Sequence, residues 1–247
     1  MHCRKAKTAI VIIAAGASVP FAPRIAFAEN IFSIYPGTSH TRDSDLSINQ
    51  PGRGTGITLR DVEWGADPFK PAPYYGLRLT HFFDASPSWG VALDFTHYKM
   101  YAKTGRAVRV DGILQGAPVN VVAPMDRYVQ RFEISHGVNV LSVNGLYRWL
   151  DTGLAGGRLT PYIGGGLAYY RPHSENTVAG AYHETGYRSS GFGFQVLGGV
   201  GYQFTERVSA FLETKYNSGT AKVGVFQGEA ETPLRSFHAT AGISYRF

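Results

Sequence analysis

The chain has 247 residues, a formal charge of +6, a single cysteine, 30 glycines, 15 tyrosines and 15 phenylalanines. Arg4, Lys5 and Lys7 precede an apolar stretch over 8–22 and an Ala26-Phe27-Ala28 cleavage signal, so residues 1–28 read as a secretory signal peptide, with Glu29 opening the mature chain. Its removal takes away Cys3 and four basic residues and leaves a charge of +2, which excludes thiol chemistry, a disulfide framework and the electrostatic case for nucleic acid.

No apolar run in 29–247 is long enough for a transmembrane helix, whereas short alternating segments rich in glycine and aromatics recur along it. In chain order they cover 31–38, 74–83, 89–101, 138–149, 160–171, 191–204, 207–217 and 236–247. Each is close to the roughly 9–11 residues that a tilted membrane strand needs. The last is the clearest. Phe237, Ala239, Ala241, Ile243, Tyr245 and Phe247 alternate with polar or small residues, and the chain ends on Phe, the signature read by barrel assembly machinery. The connections alternate as well: 39–73, 102–137, 172–190 and 218–235 are long, and 84–88, 150–159 and 205–206 are short. The fold class expected is therefore all-β: an eight-stranded antiparallel outer-membrane barrel with long extracellular loops, short periplasmic turns and both termini in the periplasm. Trp89, Trp149, Tyr202, Phe204, Tyr245 and Phe247 mark one aromatic girdle. Tyr74, Tyr75, Tyr101, Tyr169 and Tyr170 mark the other.

Eight strands enclose a lumen that side chains fill. The inward positions include Arg78, Asp94, Thr96, Gln195, Gln203, Glu213, Lys215, His238 and Arg246, a mixed-sign set expected to pair as a structural plug. Glycine runs at 164–166 and 198–201 lie mid-strand with no helix following, so they are not phosphate loops. No hydrolase triad or zinc motif is present. His173-Ser174-Glu175 does not form a deacylase-type site, because adjacent residues of an extended chain point to opposite sides.

Two segments carry the candidate chemistry. In Asp94-Phe95-Thr96-His97-Tyr98-Lys99, His97 and Lys99 continue the apolar stripe of Val91, Leu93 and Phe95 at headgroup depth, where Lys99 suits phosphorylated sugars or simply snorkels. The segment 131–139, RFEISHGVN, is expected to extend the fourth strand above the membrane and to bring His97, Glu133 and His136 into one neighbourhood, a set able to hold a metal.

The blocks 74–79 (YYGLRL), 94–99 (DFTHYK), 132–139 (FEISHGVN) and 146–149 (LYRW) resemble those of outer-membrane barrels related to the lipid A oxidases, within the broader OmpA-like and OmpW-like class. That resemblance implies oxidation of the proximal glucosamine of lipid A to aminogluconate, with molecular oxygen as co-substrate and a divalent or redox metal assisting. Lipid A and outer-membrane lipids are the partners it implies. No catalytic assignment is carried by the resemblance itself. Position points to Asp94, His97, Glu133 and His136 as base, metal ligands or proton shuttle, with Lys99 and Arg131 orienting phosphate. The rival reading is a non-enzymatic envelope, adhesin or antigen barrel, since small barrels host many functions.

Overall fold

The computed structural model describes residues 29–247; the expected signal peptide and Cys3 lie outside the described residues. Eighteen strands follow one another: β1 (Glu29–Tyr35), β2 (Gly37–Thr41), β3 (Ser44–Gln50), β4 (Thr55–Val62), β5 (Trp64–Gly65), β6 (Tyr75–Phe83), β7 (Ser86–His97), β8 (Met100–Ala102) and β9 (Ala107–Leu114). The second half comprises β10 (Ala117–Pro124), β11 (Val129–Ile134), β12 (Val140–Arg148), β13 (Leu159–Tyr170), β14 (His173–Val178), β15 (Glu184–Tyr187), β16 (Gly191–Gln203), β17 (Val208–Val225) and β18 (Gly228–Arg246).

Eight of these staves form the barrel, in the antiparallel order β1-β6-β7-β12-β13-β16-β17-β18. Closure is made in two pieces. β1 pairs Ile31 to Ile34 with Arg246 to Ile243, and β2 then pairs Gly37 to Thr41 with Thr240 to Ser236. Pro36 sits between them; it has no N–H to give the ladder and splits the first stave. One face of the wall exposes Phe32, Leu79, Leu93, Val143, Leu167, Val196, Leu212 and Ile243, an apolar belt that only a membrane would cover. At the turn end Tyr147 packs on both Trp89 and Trp149, and at the loop end Tyr75 pairs with Phe95 and Tyr169 with Phe192; Tyr74 and Tyr170, expected in that second girdle, are instead buried inside, and Tyr101 lies on β8.

The four long connections, 39–73, 102–137, 172–190 and 218–235, are largely built of strands. One sheet, β18-β3-β4-β9-β10, continues the barrel wall beyond the membrane, and a second runs β15-β14-β11-β8-β5. They share one apolar core that includes Leu46, Ile48, Leu59, Val110, Met125, Phe132, Ile134 and Val223. The barrel therefore carries a β-rich head.

The long β17–β18 hairpin shows how one strand serves two solvents. Odd residues of β17 point inward along its whole length, yet the inward set changes from Glu213, Lys215 and Asn217 to Ala221, Val223 and Val225. Inside the membrane the apolar side chains face out to lipid. In the head they face in, away from water.

Within 131–139 the residues up to Ile134 do form a strand, but not the expected extension of the fourth stave. β11 pairs with β14 and β8 in the second sheet, while β12 begins afresh at Val140. The break is local. Gly137 has φ +92, and a Cβ there would collide with the His97 ring at 2.2 Å; Asn139 follows at φ +43.

Candidate functional site

The lumen holds a closed polar network. Arg78 donates to both carboxylate oxygens of Glu213 (2.6 and 2.7 Å) and to Asp94 (2.9 Å). Lys215 reaches Asp94 at 2.7 Å, Gln195 donates to the same carboxylate at 3.2 Å, and Tyr162 donates to Glu213 at 2.9 Å. All four charged groups are buried, and two cations face two anions, so the set is neutral as a unit. Above it, Tyr35, Tyr74, Tyr98 and Tyr170 are buried as a layer against the head core, with Tyr74 hydrogen-bonded to His238 at 3.1 Å and Tyr98 to Ser236 at 3.2 Å. The tight fit needs Gly76, where any Cβ would fall within 1.9 Å of the Tyr35 ring. Below the plug a cavity of about 120 Å³, lined by Glu29, Arg148, Arg158, Gln203 and Arg246, occupies the turn end. The inward set expected from alternation is thus placed as a plug, with Gln203 and Arg246 at its mouth.

The candidate catalytic residues separate. Asp94 is fully buried in the plug. His97, at the loop end of β7, is only 5 % exposed, stacked on Tyr75 (4.8 Å, 19°) and bonded through Nδ1 to Asn139 Oδ1 at 3.0 Å. Asn139 Nδ2 donates to the carbonyls of His136, Gly137 and Arg171, which makes Oδ1 the acceptor and Nδ1 of His97 the donor. His97 is therefore a brace for the 135–139 turn and not an open headgroup contact. Lys99 donates to the Pro71 carbonyl. Glu133 lies on β11 and accepts from Arg131 at 3.0 Å.

His136 meets different partners from those expected. Its Nδ1 is 3.1 Å from Glu175 Oε1, and its ring packs edge-on to His173 at 4.6 Å. Ser135 donates to the same Oε1 at 2.6 Å, while Arg131 holds Oε2 at 2.7 Å. Among the described residues, His136, His173 and Glu175 are the group whose ligand atoms all lie within 4.8 Å of one another. In the sequence His173 and Glu175 stand out only as part of a deacylase-like triplet. Their alternation with the buried Ser174, which ruled that out, is what sets both on one face here. What could not be read was that β14 would pair with β11 and carry that face to His136.

Electrostatics at this cluster have clear causes. The Ser135 hydrogen bond, followed by the Arg131 and His136 charges, holds the Glu175 carboxyl below its usual range. Burial and the neighbouring His136 push His173 down, and the Glu133 carboxylate raises Arg131. Arg171 lies over the Tyr187 ring at 5.2 Å, and Tyr187 packs on His173 at 4.5 Å. The cluster sits just above the apolar belt. His173 lies four positions beyond the membrane-face Tyr169, at most about 13 Å of extended chain.

Residues 81–247 match the model of the Opacity family porin proteins. No curated protein sequence matches the chain. Among solved structures, Neisserial surface protein A aligns at 16 % identity over 89 % of this chain and 96 % of that one, with TM-score 0.43. OprG from Pseudomonas aeruginosa aligns at 15 % identity over 89 % and 94 %, with TM-score 0.48. Ail from Yersinia pestis, solved with the heparin analogue sucrose octasulfate, aligns at 11 % identity over 89 % and 99 %, with TM-score 0.38.

Proposed function

The chain belongs to the Opacity porin family and is an outer-membrane β-barrel, and on that premise we propose that it acts on lipid A at the outer-leaflet rim, oxidising the proximal glucosamine to aminogluconate. The observation that carries this reading is the His136–His173–Glu175 cluster, flanked by Arg131 and Arg171 directly above the apolar belt. A lipid A disaccharide anchored in the outer leaflet reaches this level laterally, and guanidinium groups suit its phosphates. Transport through the lumen is a poor alternative, because the buried plug and tyrosine layer fill the bore.

The reaction removes two electrons and two protons from the C1 lactol. Dioxygen accepts them and leaves as hydrogen peroxide, and water opens the lactone to the acid. In this reading Glu133, part-exposed beside the cluster, is the carboxylate placed to take the lactol proton and pass it to solvent. A divalent metal at the cluster would supply the means of activating dioxygen. Asp94 and His97 become structural residues of the plug and turn, and Lys99 and Arg131 remain the phosphate-facing cations.

A second reading rests on the head. Two sheets with a common core make a rigid outer surface of the kind a recognition or adhesion protein presents, with no chemistry required. The purified barrel, incubated with lipid A bearing a free C1 hydroxyl under air and under argon, separates the two. A product one oxygen heavier in air alone supports oxidation; no product under either gas leaves the recognition reading.

A further inference from the structure

We infer that His136, His173 and Glu175 form a binding site for a first-row divalent transition metal, with Arg131 and Ser135 as the groups that orient its carboxylate. The chemical use of this site rests on the lipid A reading; its occupancy does not.

Three features distinguish the cluster from an ordinary surface hydrogen-bond group. First, it contains two imidazoles and one carboxylate, a set that suits first-row metals and leaves further positions for water or substrate. Second, Nδ1 of His173 is buried and has no hydrogen-bond partner. A buried imidazole nitrogen left without a partner is costly in a protein, and bonding a cation is one way of satisfying it. Third, the carboxylate is already divided between two tasks. Oε2 is held by Arg131, which also grips Glu133, while Oε1 points at His136. This is the outer-shell bracing that keeps a metal-binding carboxylate in one orientation.

The geometry requires a small contraction. Ligand atoms about 2.0–2.2 Å from one ion stand roughly 3–3.5 Å apart, against the 4.8 Å limit within which these lie. His136 is 58 % exposed and able to swing inward. The His173 ring is confined between His136 and Tyr187 and supplies the fixed point. Ser135 donates to Oε1 and would turn its hydroxyl aside as the ion arrives.

The mature barrel, purified in detergent, stripped with chelator and freed of it, is titrated with Zn²⁺ by calorimetry and with Co²⁺ by visible absorption. One equivalent is expected to bind each protein. His136→Ala, His173→Gln and Glu175→Gln should each weaken binding at least about tenfold, while His40→Ala, on β2, leaves it unchanged. Retained heat-modifiability shows that each variant is folded, and any one folded variant suffices for the comparison. Absence of saturable binding by the parent, or binding untouched by the folded variants, overturns the site. Metal bound without any lipid A product upholds the site and overturns the oxidase reading. Product formed without metal binding does the reverse.

Discussion

Replacing Asp94 by Asn tests the neutrality of the lumen plug. The carboxylate accepts from Arg78 (2.9 Å), Lys215 (2.7 Å) and Gln195 (3.2 Å) in a space with no solvent exposure. An amide of the same shape keeps the packing but leaves Arg78 and Lys215 sharing Glu213 alone, so one positive charge is buried uncompensated. Breaking a buried pair in this way costs about 3–5 kcal/mol. With a urea dependence of roughly 2 kcal/mol/M, the unfolding midpoint in detergent should fall by about 1.5–2.5 M. The double variant Asp94→Asn with Lys215→Met removes one cation as well and restores neutrality, so it should recover most of the loss. Urea titration followed by tryptophan fluorescence and by heat-modifiability on gels reads both. A single variant within about 0.5 M of the parent, or a double variant no better than the single, would refute the charge-balance reasoning.

Other outcomes follow from the same structure. Phe132→Ala, at a site 1 % exposed and packed on Trp64 at 6.0 Å, should cost the head about 3–5 kcal/mol and open it to protease on intact cells while the barrel stays heat-modifiable. His173 is held below the ordinary histidine value of 6.5, so its contribution to head stability is complete above that value and declines as pH falls toward the depressed one. Glu175, depressed from 4.5, keeps its contribution until more acid conditions. Protease sensitivity of the head should therefore rise between pH 7.5 and 5.5, and less so in His173→Gln; an equal rise in both would contradict the assignment. N-terminal sequencing of the outer-membrane form should begin at Glu29, whose carboxylate is bound by Arg148 at 2.7 Å inside the barrel mouth.

The barrel was legible because lipid imposes a single rule on its outer face. The membrane staves keep mostly apolar residues at one parity, and β18 shows it from Phe237 to Tyr245 without interruption. The first stave reads weakly because Pro36 divides it. The head was hidden for a related reason. In β17 and β18 the parity continues beyond the membrane, but the inward residues become Ala221, Val223, Ala230 and Leu234, and the outward ones become charged, so a scan for lipid-facing strands ends there. At the candidate site, the sequence pointed to the 131–139 segment and to His136. It could not show that Gly137 and Asn139 turn the chain away from the barrel wall, or that β14 brings His173 and Glu175 from 37 and 39 residues further along. Asp94 and His97 stand out in the sequence as ionisable groups close to a stripe end, and both are buried, Asp94 in the plug and His97 against the 135–139 turn.

Mass spectrometry of lipid A from a strain lacking this protein, compared with the same strain carrying the parent or the Glu175→Gln form, decides whether the barrel oxidises lipid A. Aminogluconate-containing lipid A is expected in the parent strain, only unoxidised glucosamine in the deletion, and restoration by the parent gene but not by Glu175→Gln. Identical lipid A in the parent and deletion strains would contradict the oxidase reading.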